Sequence, residues 1–202
     1  MSEAEASAQS WTREALRLNA RYVEEIVIGW GLCPWAAQAW RAGAVGRRVL
    51  LDATIDPAPA LDALDELAAS PGIDIGLLIW PRLAVDATAF GTFAEQLRRA
   101  DRARRTSGEP PFLIAAFHPD LRVEPPADAR SLVPFIRRTP DPTLQLVRAR
   151  LLAELERSGR DASAQVARAN FATVGERTPA ALDAALRAIR RDRDASYGKL
   201  GS

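Results

Sequence analysis

Two short segments, Ile73–Trp80 and Phe112–Phe117, are almost wholly apolar, and they constrain this chain more than any other feature. A strand with one wetted face alternates apolar and polar residues, whereas a run without alternation is buried on both sides. Such strands need a sheet covered by helices on at least one face. A third strand is read over Arg48–Thr54. Between the three lie a helix opened by Asp56 and Pro57, running through Leu61, Leu64 and Leu67 to Ser70-Pro71-Gly72, and a second around Phe90, Phe93 and Leu97. The order is β-α-β-α-β, which implies an α/β fold. The sheet is expected to have three or more strands and to be mostly parallel, because crossovers of one hand align consecutive strands. A mixed or ferredoxin-like sheet stays open.

The flanks read as helical. Ser10 or Thr12 is a candidate cap for a first helix through Leu16, Tyr22, Val23, Ile26 and Val27 to Gly29, and Pro34 opens a short one that Gly43 stops. After a proline-rich loop from Asp120 to Arg130, a two-helix segment is expected. Asp141 caps its first helix and Pro142 starts it, with Leu144, Val147, Leu151 and Leu155 on one face and Gly159 at the stop. Thr178 and Pro179 repeat the device for the second, through Leu182, Ala185, Leu186 and Ile189, with Arg190–Arg193 fraying at its end. Residues 11–195 are read as one domain, with 1–10 and 196–202 disordered.

Charge and composition exclude several classes. Lys+Arg of 27 against Asp+Glu of 26 leaves +1, which argues against a general nucleic-acid binder. The run Arg98, Arg99, Arg102, Arg104, Arg105 falls at a helix end, where arginines complement the dipole. No apolar stretch approaches the roughly 18 residues of a membrane span, and Ser2-Glu3-Ala4-Glu5 is no signal peptide, so the expected setting is the cytoplasm without a membrane partner. Neither oligomeric state nor cofactor is legible. The P-loop, Gly-x-Gly-x-x-Gly and Gly-x-Ser-x-Gly fingerprints are missing.

The chain has one cysteine and one histidine. Cys33 stands in Trp30-Gly31-Leu32-Cys33-Pro34-Trp35, where a helix start would favour a thiolate, and Trp35 can wall a pocket beside it. Packing as a small hydrophobe is the alternative. His118 follows the third strand in His118-Pro119-Asp120, at the end where α/β sheets bind ligands, as Arg82 follows the second. It reads either as an acid/base with Asp120 orienting the ring, or as a clamp on its own turn. Arg137, Arg138, Thr139 and Asp141 form an expected anion grip at a helix N-terminus, against the reading of a structural ion pair. A metal or haem-thiolate on Cys33 and His118 ranks lower, because close ligand pairs are lacking and no metal residue is assigned.

Three phrases in order, Ile28-Gly29-Trp30-Gly31-Leu32-Cys33-Pro34-Trp35, Phe117-His118-Pro119-Asp120 and Arg138-Thr139-Pro140-Asp141-Pro142-Thr143-Leu144-Gln145-Leu146, resemble the bacterial DUF1415 family of unknown function, from about Ala15 to Leu155. Its commoner last phrase reads Asn-Arg-Ser-Pro-Tyr-Pro and, two residues on, histidine. This chain departs there with Arg137, Asp141 and Gln145. The resemblance implies an architecture and a site, but no reaction. The leading expectation is an enzyme acting on a small anionic substrate, with Cys33 as nucleophile, His118 as acid/base and the arginines as anion grip. A non-catalytic binding or interaction domain is the alternative.

Overall fold

The computed structural model describes residues 2–33, 36–106, 109–121, 132, 135–151, 153, 170–174 and 178–200. Helix α1 (Glu3–Arg21) begins with a capping box, in which the Ser2 hydroxyl accepts from the Glu5 N–H and the Glu5 carboxylate accepts from the Ser2 N–H. The helix therefore starts ahead of Ser10 and Thr12, within the stretch expected to be disordered. It passes directly into a π-helix over Tyr22–Ile28, which Gly31 terminates at φ +62°. Helix α2 (Ala36–Arg41) ends the same way at Gly43, φ +67°. In both turns a positive φ favours glycine, and the following N–H reaches back to a helical carbonyl, Leu32 to Val27 and Ala44 to Ala39.

Strand β1 (Val45–Val49), helix α3 (Pro57–Ala69), strand β2 (Ile75–Ile79), helix α4 (Ala87–Arg104) and strand β3 (Phe112–Phe117) follow in the expected order. Asp56 and Asp86 cap the two helices by accepting from the Ala58 and Ala89 N–H groups. One expectation is corrected. Thr143–Arg148 is strand β4, and the Asp141-Pro142 step opens no helix; helical conformation begins only at 149–151. The spacing of Leu144, Val147 and Leu151 fits a helix face, but tertiary pairing overrides it. The expected helix positions Leu155 and Gly159 lie outside the described residues.

β4 slots between β2 and β3, giving the order β1-β2-β4-β3. β1 and β2 pair in parallel, and β4 runs antiparallel to both of its neighbours. The three expected strands thus do share a direction, and the mixed sheet arises because β3 is set apart to admit β4.

The sheet is covered on both faces. Leu78, Trp80, Phe112, Ile114, Leu144 and Leu146 pack against α3 and α4 through Leu64, Leu67, Phe90, Phe93 and Leu97. On the other face, Leu77 and Ile79 meet Tyr22, Val23 and Ile26 of the π-helix and Leu182, Leu186 and Ile189 of α5 (Pro179–Leu200). Helix α5 runs through Arg190–Arg193 and on past Ser196, beyond the expected fraying point. It is tied to α1 by Asp192, which pairs with Arg17 at 3.0 Å and Arg21 at 2.7 Å. No helix among the described residues is long and apolar enough to cross a membrane.

Arg148, at the end of β4, joins the central strand to α3. Its Nη2 donates to the carbonyls of Leu67, Ala68 and Ser70 at 3.0, 3.0 and 2.7 Å, and its Nε donates to Ile73 at 2.8 Å. The Leu67 and Ala68 carbonyls belong to the last turn of α3, where helical N–H partners run out. Arg148→Lys should cost about 2 kcal/mol in urea unfolding, because one ammonium cannot reproduce the fork across separated carbonyls. Gly76→Ala should also destabilise, by about 1–3 kcal/mol, since a Cβ there would sit 2.9 Å from Leu67 Cδ1 and from Leu146 Cδ1.

Candidate functional site

Side-chain parity along β3 determines where His118 lies. Phe112, Ile114 and Ala116 face α3 and α4, and His118 continues that series, with its ring 5.8 Å from that of Phe90. The Asp120 N–H donates to Nδ1 at 3.1 Å, so the ring hydrogen sits on Nε2, which donates to the Val85 carbonyl at 3.0 Å. Burial holds the imidazole below its ordinary pKa, and the Asp120 carboxylate opposes that shift. The Asp120 side chain itself is exposed and pairs with Arg190 at 3.0 Å. Both ring nitrogens are thus engaged by backbone. The ring clamps its own turn to the loop before α4.

Cys33 follows Leu32, which is buried on the opposite face among the π-helix residues and whose carbonyl accepts from Asn170 Nδ2 at 2.5 Å. The Cys33 carbonyl in turn accepts from the Ala36 N–H at 3.1 Å. Leu32, next to Cys33, and the His118 ring thus pack on different faces of the sheet. Trp35 lies outside the described residues.

The arginines separate as well. Arg82 is exposed, with its guanidinium 5.8 Å from the Trp11 ring of α1. Arg138 pairs with Asp183 at 2.6 Å and donates to the Phe135 carbonyl at 3.0 Å. Asp141 is fully buried; its carboxylate accepts from Arg193 Nε and the Tyr197 hydroxyl, each at 2.8 Å, and its carbonyl accepts from the Thr139 and Thr143 hydroxyls. Burial pushes this carboxyl up, against the pull of Arg193. Asp141 is therefore the knot that fastens α5 to the start of β4. Arg137 is distinguished by its surroundings: burial lowers its pKa, it stacks 5.3 Å from the Phe117 ring and, like Arg82, it has no carboxylate at ion-pair distance among the described residues.

Phe117 leads to the feature that best qualifies as a site. On the π-helix face lies a cavity of about 60 Å³. Val23, Val27, Trp40, Val45, Ile75 and Leu77 make its apolar wall, while Asn19, Thr139, Thr143 and Gln145 supply polar atoms, and Ala36, Tyr22 and Phe117 complete it. By the same measure one water needs about 10–15 Å³, so the space suits several waters or a small organic group. Asn19 is 2% exposed and its Oδ1 has no hydrogen-bond partner among the described residues. An unmade bond at a buried acceptor costs about 1–3 kcal/mol, which a ligand donor would recover. The adjoining π-helix is the kind of distortion that recurs at functional sites.

Of the expected residues that are described, only Thr139 lines this cavity; Arg137 abuts it through Phe117, and Cys33 is joined by backbone to the wall residue Ala36. Asn19, Tyr22 and Gln145 were not singled out from the sequence as site residues. An asparagine inside a helix resembles a surface residue until packing encloses it. Gln145 was noted only as a departure from the resembled phrase, at the position where that phrase carries histidine. Among the described residues no three His, Cys, Asp or Glu side chains converge as a metal set would.

A family model, described as a protein of unknown function (DUF1415), matches residues 14–184. No curated protein and no solved structure matches the chain.

His118 makes a clean prediction, since it is the only histidine. Its depressed pKa means that the unfolded chain binds a proton which the folded chain refuses, so its contribution is present above about pH 6.5 and lost as pH falls below it. The urea midpoint should decline from pH 7 to 5, and His118→Gln should flatten that decline. An equal slope in both proteins would show that the ring is not held neutral.

Proposed function

The chain belongs to the DUF1415 family, and we propose that it binds a small amphipathic anion in the cavity between the π-helix and the sheet. The observation that carries this reading is the buried Asn19 Oδ1 without a partner on the cavity wall. A ligand O–H or N–H answers it. The apolar body lies against Val23, Val27 and Leu77, and the anionic end reaches Arg137 beside Phe117, where burial strengthens the attraction. His118 holds its turn in this reading and takes no proton from the ligand.

Three probes of one shape separate the contributions: para-hydroxybenzoate carries both donor and anion, benzoate lacks the donor, and phenol lacks the anion. Calorimetric titration should place para-hydroxybenzoate about tenfold tighter than either, a difference of roughly 1.4 kcal/mol per missing interaction. Asn19→Leu should level the first pair, and Arg137→Gln the difference from phenol. If all three bind alike to the native protein and to Asn19→Leu, the cavity reading fails.

The hydrogen bond between Ala36 and Cys33 favours a second reading, in which the thiol works at the cavity edge without His118. Cys33→Ser distinguishes the two. Under the binding reading the affinity for para-hydroxybenzoate stays within about twofold, as for substitutions outside a contact. A larger loss puts the thiol in the site.

A further inference from the structure

β3 is an edge strand, and its outer side is open to pairing in a way that β4 is not. The outward carbonyl of Ile114 accepts from Arg98 Nε at 3.0 Å and Nη2 at 2.7 Å, so a side chain occupies a position that a neighbouring strand would otherwise take. Beside this edge runs a groove of about 290 Å³ between α4 and β3, lined by Arg98, Arg99, Arg102, Asp101, Phe112 and Leu113. Leu113 is 50% exposed, unusual for a residue of its size in this molecule.

The groove carries an independent sign of a missing partner. Asp101 is fully buried; its Oδ1 accepts from Arg104 and Arg105, while its Oδ2 has no partner among the described residues. Its charge is already matched by those two arginines. What Oδ2 lacks is a hydrogen-bond donor, not a cation. The rim, in contrast, has cations to spare. Glu95 is taken by Arg98, and among the described residues no carboxylate lies at ion-pair distance from Arg99 or Arg102.

We infer that this groove takes an extended acidic peptide, which adds to β3 as a further strand. Its main-chain N–H groups serve Ile114 and Asp101 Oδ2, its apolar residues cover Leu113, and its carboxylates pair with Arg99 and Arg102. Main-chain bonds supply affinity and the side chains supply selection, as in other strand additions. Arg98 is displaced from Ile114 and turns to the incoming carboxylates. A second copy of this chain fits less well, because β3 set against β3 brings two sets of arginines together, and the one exposed carboxylate of each groove, Glu95, is already paired with Arg98.

Fluorescence anisotropy with a labelled peptide of alternating glutamate and valine tests this. The same peptide with lysine for glutamate, and one with alternate backbone nitrogens methylated, are the controls. The acidic peptide should bind, and each control should bind at least about tenfold more weakly. Arg99→Glu with Arg102→Glu should lose the acidic peptide by a similar factor; both side chains are exposed, so circular dichroism should report an unchanged fold. Failure of the acidic peptide to bind, or equal binding of either control, overturns the proposal. So does a concentration-dependent dimer that blocks the groove, which would assign the edge to a second copy. None of these outcomes bears on ligand binding in the cavity, which lies on the opposite face.

Discussion

The insertion of β4 between β2 and β3 is the constraint on which the rest of the structure depends. Pairing on both sides commits every backbone group of the strand, and side-chain alternation then assigns each residue to a face. Leu144 and Leu146 complete the core under α3 and α4, while Thr143 and Gln145 turn toward the π-helix. A slip of one residue would bury the polar pair in the apolar core and strip the cavity of its polar floor. The ends of the strand are held accordingly. Asp141 binds the start to Arg193 and Tyr197 of α5, and Arg148 binds the end to the last carbonyls of α3. Both anchors are charged groups with several hydrogen bonds, which make register errors costly because a wrong pairing leaves a buried charge unmatched.

The same sheet sets the His118 ring and Leu32, the neighbour of Cys33, on different faces. A sheet two layers of side chains thick separates its faces, and parity along β3 sends His118 toward Phe90 while Leu32 packs among the π-helix residues on the other side. Burial favours the neutral form of the His118 ring. Its two nitrogens are balanced between one donor and one acceptor from the backbone, which is the arrangement that burial of an uncharged imidazole favours.

Several features were readable before any tertiary contact was known. The two apolar runs identified buried strands, Asp56 with Pro57 marked a helix start, and Gly43 marked a helix end, because each signal resides in a few neighbouring residues. Asp141-Pro142-Thr143 misled because an aspartate before proline is also a good helix cap, and Leu144 with Val147 satisfies helical and strand spacing alike over so short a run. The anion grip was only partly legible for a related reason. Arg137, Arg138, Thr139 and Asp141 are adjacent in sequence, yet Arg138 and Asp141 are committed to Asp183 and Arg193, residues far along the chain. Asn19 gave no signal at all, since its importance lies in an Oδ1 without a partner among the described residues, in a space lined by six other elements.

What the sequence by itself determined was the inventory: an α/β chain, three strands of one direction, the helices between them, and the residues able to do chemistry. Those properties follow from local periodicity and capping, which act over a few residues. Tertiary structure decided the strand order, the face on which each polar side chain ends, and which charges are neutralised. Those depend on pairing between segments distant in the chain, where the burial of a strand or a carboxylate outweighs the local preference of its residues.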